Sequence, residues 1–264
     1  MQWWLAYLAI GAAGGFIAGL LGIGGGALIV PLLVFVFHAQ GFSPDHVLHM
    51  ALATTMASIV FTALASARAY HARGSVDWKM ARSMVPGTLA GAFVAALAAG
   101  VIPTRQLAVV FTVLMFVAAT QIILDLKPKI AVFQPGARIV FAAGAVIGAF
   151  SSLLAVGGAS LSIPFLAWCD VPLRRAIGTA AANGVPIAVA GTAGYVLQGW
   201  RVDGLPLPSA GYVYLPAFAA IVIVSVLTAP LGARLAHRMP VRPLRILLAL
   251  VLYAVAVRLL LRLW

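Results

Sequence analysis

The fold is decided by the stretch Gly19-Leu20-Leu21-Gly22-Ile23-Gly24-Gly25-Gly26-Ala27, which has a shorter counterpart in Leu154-Ala155-Val156-Gly157-Gly158-Ala159-Ser160. Each stretch interrupts an apolar run that is too long for one membrane span, and each contains glycines that would weaken a straight helix. We interpret both as helix breaks inside a membrane. Because lipid cannot satisfy the freed backbone groups, such breaks are tolerated only where they are buried in protein or line a cavity. The breaks are therefore the expected location of a binding site.

The composition is that of an integral membrane protein. The chain has 264 residues, 64% of them hydrophobic and 8% charged, and its mean hydropathy is +1.10. The apolar runs are long and do not alternate with polar residues, which favours helices over barrel strands. The net charge of +12 does not indicate nucleic-acid binding, because the basic residues lie between apolar segments and never form a dense stripe. The expected surroundings are a lipid bilayer.

An internal repeat divides the chain. The sequence predicts an all-α, polytopic membrane fold with one repeat at residues 1–126, a linker at 127–136 and a second repeat at 137–264. Each repeat is expected to contain a Gly-broken helix pair and three transmembrane helices, which in the first half span about 47–67, 83–101 and 104–124. Gly-interrupted segments at corresponding positions of two halves are typical of transporter binding sites. A shift of 133 residues superimposes Gly11, Gly15, Gly24, Gly25, Leu28 and Pro31 on Gly144, Gly148, Gly157, Gly158, Leu161 and Pro164.

Two further stripes of small residues predict close helix packing. Gly11, Gly15 and Gly19 lie four residues apart in the first apolar segment, and Gly87 and Gly91 repeat this spacing later. Small residues at such spacing let the backbone of another helix approach closely.

The predicted number of crossings in each half is odd, so the second half should be inverted relative to the first. Cytoplasmic loops carry an excess of Lys and Arg, which tests this expectation. If the basic loop from Arg68 to Arg82 is cytoplasmic, 13 of the 17 basic residues fall on the cytoplasmic side and both termini fall outside. The loop at the equivalent position, 198–211, contains only Arg201 beside Asp203. Two parallel repeats would not produce this reversal.

Carboxylates are absent from the predicted membrane core. The acidic residues all fall in predicted loops or at helix ends, and they are Asp45, Asp77, Asp125, Asp170 and Asp203. The histidines are expected at the membrane interface, with His49 a minor candidate for a pH-sensitive gate, and they are His38, His46, His49, His71 and His237. The single Cys169 excludes a multi-cysteine metal site. We find no catalytic motif and predict no enzyme, metal site or cofactor.

The predicted site suits an anion. Short helices that begin at the two breaks would point their N-termini, with unpaired amides and partial positive charge, into the protein. Neutral hydroxyl and amide side chains would complete the binding shell, and Ser151, Ser152 and Ser162 are further core hydroxyls. In the alternative interpretation, the glycines serve packing alone and the hydroxyls bond to carbonyls of their own helix. The predicted substrate-binding residues are Gly24, Gly25, Gly26, Thr54, Ser58, Gly157, Gly158, Ala159, Ser160, Thr179 and Asn183.

The string from Gly15 to Gly26, followed by Pro31, resembles the N-terminal signature of the TauE/SafE family of sulfite exporters, and the stretch from Gly148 to Pro164 resembles its second copy. The resemblance covers nearly the whole chain. It implies export of sulfite or an organosulfonate such as sulfoacetate across a bacterial inner membrane. In the orientation that the basic residues predict, both termini would then lie in the periplasm. The second copy departs from the first at Ala155 and Ala159, where the first has glycine.

Two other functions stay open at this point. One is transport or channelling of another small solute or ion, although a cation pathway should contain acidic or Cys/His clusters. The other is a membrane assembly or scaffold protein without transport, in which the glycines only pack helices. The sequence leaves open whether copies of the chain form a homo-oligomer, and it does not identify a coupling ion.

Overall fold

The computed structural model describes residues 2–21, 25–124 and 135–236, and then residues 246, 249–250, 252–254 and 256–257. Gly24 and nearly all of the predicted linker lie outside these residues. The first part of the chain forms helices α1 (Gln2–Leu21), α2 (Gly26–Ala39), α3 (Val47–His71), α4 (Trp78–Val101) and α5 (Thr104–Leu124). The second part forms α6 (Ala137–Leu154), α7 (Ala159–Trp168), α8 (Leu173–Gly199) and α9 (Leu215–Ala236). An antiparallel hairpin of β1 (Ser209–Ala210) and β2 (Val213–Tyr214) precedes α9.

The prediction of an all-α polytopic membrane protein is confirmed. Within the described residues, seven helices are long and apolar enough to cross a bilayer, namely α1, α3, α4, α5, α6, α8 and α9. The two helices that follow the predicted breaks, α2 and α7, are shorter, with 14 and 10 residues. At a rise of about 1.5 Å per residue, α7 extends only about half of the roughly 30 Å hydrocarbon core. The short hairpin was not predicted.

The predicted start of α4 at residue 83 is wrong, because the helix begins five residues earlier. The Asp77 carboxylate accepts a hydrogen bond from the Met80 amide at 3.0 Å and caps the helix at Trp78. Lys79 and Arg82 therefore lie on the first turns of α4 and not in a loop. Long basic side chains are tolerated there because they can extend to the membrane surface.

The two longest helices, α3 and α8, run antiparallel through the centre of the protein. Going along α3, Met56 contacts Gly191, Ala63 contacts Gly184, and Tyr70 contacts Gly178. Residue numbers on α8 therefore fall as those on α3 rise, so the two helices run in opposite directions. An inverted repeat requires this arrangement for two helices that are predicted to occupy equivalent places in the two halves.

The first helix of each broken pair, α1 or α6, packs on a helix of the other half. Gly11, Gly15 and Gly19 on α1 lie against the backbone of α9, and Gly87 and Gly91 on α4 lie against the backbone of α6. The two small-residue stripes are thus confirmed as sites of close helix approach.

Corresponding hydrogen bonds appear in both halves. The Tyr70 hydroxyl donates to the carbonyl oxygen of Gly19 at 3.0 Å, and the Tyr195 hydroxyl donates to the carbonyl oxygen of Ser152 at 3.3 Å. The acceptors are 133 residues apart, which is the shift of the sequence repeat, and the tyrosines are 125 residues apart on α3 and α8. In each case a long central helix is tied to the last turn of the helix that precedes a break.

Candidate substrate site at the two helix breaks

Both breaks begin a short helix with a left-handed glycine. We call the segment between α1 and α2, of which the structure describes Gly25, the first break, and we call residues 155–158 the second break. Gly25 has φ 70° and Gly158 has φ 82°, and each is the N-cap residue of the helix that follows. A side chain at such a φ would clash with its own backbone, which explains why glycine stands at both positions. Ala155 also adopts a left-handed conformation, with φ 49°, at the end of α6.

The start of α2 meets the second break in the middle of the protein. Gly26 packs directly on the carbonyl group of Ala155, so the start of α2 touches the second break. Gly26 also contacts Ile59 in the middle of α3, and the carbonyl of Gly157 lies against Gly184 in the middle of α8. The short helices therefore begin deep inside the protein, between the central helices.

Neither short helix has a side-chain cap. The N-cap residues are Gly25 and Gly158, which have no side chain to bond the first amides of α2 or α7. In α7 the Ser162 amide donates to the carbonyl of Gly158 at 2.9 Å, so the amides of the three preceding residues have no partner within the helix. Ala159 is fully buried. Uncapped, buried helix N-termini carry partial positive charge and can bind an anion.

Unpartnered hydroxyls concentrate around the second break. Among the described residues, Ser151, Ser152, Ser160 and Ser162 each have a buried hydroxyl oxygen without a hydrogen-bond partner. Ser160 belongs to the predicted ligand set, whereas Ser151 and Ser162 do not. Their position could not be read from the sequence, because serine on an apolar helix is as typical of helix packing as of ligand binding.

Two predicted ligands, Thr54 and Thr179, bond to backbone of the other half. The Thr54 hydroxyl oxygen accepts from the Tyr214 amide at 3.0 Å, and the Thr179 hydroxyl oxygen accepts from the Asp77 amide at 2.9 Å. Tyr214 immediately precedes α9, and Asp77 immediately precedes α4. These bonds connect the two halves, so both threonines have a structural role. Their contact with a substrate stays a prediction.

Ser58 and Asn183 occupy corresponding positions on α3 and α8 but have different partners. The Ser58 hydroxyl donates to the Thr54 carbonyl at 2.8 Å, which is the bond expected from the packing alternative. The Asn183 side-chain amide donates to the Met84 sulfur at 3.3 Å. Its carbonyl oxygen is buried without a partner, and the residue is completely inaccessible to solvent. Asn183 therefore keeps a free polar atom in the core.

The buried polar side chains are almost all neutral. In the part of the chain that the structure describes, they are hydroxyls, the Asn183 amide and the His49 ring, with no Lys, Arg or carboxylate among them. Asp45, Asp170 and Asp203 are exposed, and Asp77 caps α4. Within those same residues, no three His, Cys, Asp or Glu side chains form a group that could hold a metal ion.

His49 lies near the start of α3 and is buried in the protein, with only 3% of it exposed, and its position at the membrane interface stays a prediction. Its Nε2 lies 3.1 Å from the carbonyl oxygens of Ala99 and Ile102, and its Nδ1 lies 3.2 Å from the Thr104 hydroxyl. Its ring stacks on Tyr212 at a centroid distance of 5.1 Å. The helix end at Ile102 and the hairpin loop cover this histidine, which its neighbours in sequence did not indicate.

An aromatic cluster closes the same end of the protein. The Phe42 and Tyr214 rings lie 5.1 Å apart, Phe37 stacks on Phe42 at 4.9 Å, and Tyr7 lies 6.5 Å from Tyr214. The Gln40 amide donates to the Tyr7 hydroxyl. The cluster joins the start of α1, the end of α2 and the hairpin, which the charge pattern predicts to share the outer side.

These features define a polytopic α-helical membrane transporter with its candidate site buried between two interrupted helices. The family model for the sulfite exporter TauE/SafE matches residues 7–259, and the chain belongs to the TauE/SafE family. The resemblance seen in the glycine motifs is thus confirmed.

Relatives cover the chain over most of its length. A "probable membrane transporter protein" of Haemophilus influenzae is 33% identical over 261 residues, which is 98% of each chain. One of the same description from Bacillus subtilis is 27% identical over 70% of this chain and 76% of its own. One from Methanocaldococcus jannaschii is 24% identical over 93% and 91%. No solved structure matches the chain.

Proposed function

We propose that this transporter exports a small sulfur-containing anion, sulfite or an organosulfonate, across the bacterial inner membrane. The observation that carries the proposal is that two helix N-termini without side-chain caps begin in a buried core of neutral donors. Backbone amides and hydroxyls bind an oxyanion without a fixed positive charge, so the anion can also leave. The family model adds sulfite export as the family's described activity.

Alternating access between two inverted halves is the mechanism we infer. It is supported by the antiparallel contacts of α3 and α8 and by the corresponding tyrosine bonds of the two halves. In the orientation with both termini in the periplasm, the aromatic cluster lies on the periplasmic side of the breaks. Release of an exported anion then requires Tyr7, Phe37, Phe42 and Tyr214 to separate.

The membrane potential supplies a driving force for such export. A monoanion that leaves a cell with a negative interior gains about 2.3 kcal/mol per 100 mV. The described core contains no carboxylate that could carry a coupled proton. Uniport down the potential is therefore the simplest form of the proposal.

Flux through liposomes tests the function. Purified protein is reconstituted, loaded with sulfite, sulfoacetate, sulfate or chloride in separate preparations, and efflux is followed with and without an imposed potential. We expect efflux of sulfite or sulfoacetate that rises when the side of release is made positive. Empty liposomes measure the leak. Correctly folded protein without anion efflux would contradict the proposal and favour the scaffold alternative.

A further inference from the structure

The second break has a hydroxyl pair that is aimed at the start of α7. A Cβ atom built on Gly158 would lie 3.5 Å from the Ser151 hydroxyl oxygen and 3.6 Å from the Ser162 hydroxyl oxygen. Both serines are completely buried, and neither hydroxyl has a hydrogen-bond partner. A buried hydroxyl without a partner is costly, so a group that accepts its proton is expected to bind there.

The first break has no such pair. The repeat places Ala18 and Ile29 where the second half has Ser151 and Ser162. Both apolar side chains are buried, Ala18 against Gly25 and Ile29 against Gly14. In addition, the start of α2 already packs on the carbonyl oxygen of Ala155. The carbonyl oxygen of Ala155 beside the start of α2 is electron-rich and disfavours an anion at that helix end.

We propose that the oxyanion binds at the second break alone, where the free amides at the start of α7 and the hydroxyls of Ser151 and Ser162 donate to its oxygens. The two serines then determine anion specificity. This inference rests on the proposed function and refines it, because the predicted ligand set included residues at both breaks. The first break supplies the apolar wall of the site.

The same donor set selects for a single negative charge. No Lys, Arg or carboxylate is buried in the described core, so nothing there neutralises an anion fully. The cost of transferring an ion from water into such a site grows with the square of its charge. The site therefore prefers a monoanion, such as hydrogen sulfite or a sulfonate, to the sulfate dianion.

Alanine substitutions separate this site from general packing. We would compare Ser151→Ala and Ser162→Ala with Ser152→Ala, a matched control. Ser152 is equally buried and equally without a hydroxyl partner, but its hydroxyl faces Gly191 on α8, 3.0 Å from a Cβ built there. Hydrogen bonds to a charged group are worth roughly tenfold or more in affinity. We expect the apparent affinity for sulfite efflux to fall roughly tenfold in each test variant and to stay unchanged in the control.

A second measurement keeps the test independent of flux. The detergent-purified proteins are heated with and without sulfite, and sulfite should raise the unfolding temperature of the wild type and of Ser152→Ala but not of the Ser151→Ala, Ser162→Ala double variant. If a variant does not fold, Ser151→Cys and Ser162→Cys replace it, since a thiol of similar size is a weaker donor.

The outcomes distinguish the two proposals. Wild-type efflux that both serine variants retain with unchanged affinity would overturn the assignment of the site and leave the anion transporter intact. Strong competition by sulfate would overturn the preference for a monoanion. Absence of any wild-type efflux would instead contradict the proposed function.

Discussion

The N-cap glycines of the two short helices have nearly the same backbone conformation but different surroundings. Gly25 and Gly158 adopt nearly the same left-handed conformation at the start of a short helix. Around Gly25 the neighbours are the backbone of Gly14 and the methyl group of Ala18, whereas around Gly158 they are two hydroxyls and the flexible end of Ile187. A repeated scaffold can therefore keep one copy tightly packed while the other gains polar groups for a ligand.

The largest difference is expected when the two N-cap glycines are changed to alanine. Both variants incur the left-handed penalty of about 1–2 kcal/mol. In Gly25→Ala the new methyl group also meets the carbonyl of Gly14, which cannot move without shifting α1, and overpacking adds about 1–3 kcal/mol. In Gly158→Ala it meets the Ile187 Cδ1 at 2.6 Å, and that side chain can rotate away. Unfolding free energies measured in detergent and denaturant should fall more for Gly25→Ala. An equal loss would mean that the two breaks are packed alike.

Gly26→Ala tests the contact between the breaks. Its methyl group would overlap the carbonyl group of Ala155, and both partners are backbone. We expect a loss of about 3 kcal/mol in unfolding free energy, together with lower efflux, because the start of α2 and the end of α6 must separate. Ala159→Gly, at the equivalent position of α7, is the control and should cost less than about 1 kcal/mol. If Gly26→Ala is as stable as the wild type, the breaks do not touch in the folded protein.

The local parts of this comparison could be predicted from the sequence, whereas the long-range parts could not. Glycine spacing is a local signal, so the stripe at Gly11 and the starts of both short helices followed from it. Thr54 instead bonds Tyr214, 160 residues away, and no spacing within α3 indicates this partner. The burial of His49 under the hairpin and the pairing of Ser151 with Ser162 around Gly158 also depend on tertiary packing.

Thr54→Val and Thr179→Val sharpen the comparison of the halves. Valine keeps the shape but removes the acceptor, so each change leaves a backbone amide, of Tyr214 or of Asp77, without its partner. The free energy of unfolding of each valine variant should be lower than that of the wild type by about 1–3 kcal/mol. Asp77 and Tyr214 are both half-buried, so either amide can recover a bond to water, and both losses should lie at the lower end of this range. Sulfite affinity of the folded fraction separates a structural role from ligand contact. Unchanged affinity would remove both threonines from the ligand set, and a tenfold loss would restore them.

The smallest effects are expected from Tyr70→Phe and Tyr195→Phe, which remove the corresponding bonds to the ends of α1 and α6. A neutral hydrogen bond contributes about 1 kcal/mol, so each variant should lose about that amount. The bond lengths of 3.0 and 3.3 Å predict a somewhat larger loss for Tyr70. Because the two bonds involve different helices, the double variant should show the sum of the single losses. Additivity in the denaturant midpoints would mean that the two anchors act independently, one for each break. A double variant that loses much more than the sum would show that the breaks are held as one unit, and the contact of Gly26 with Ala155 is the physical connection through which they would be coupled.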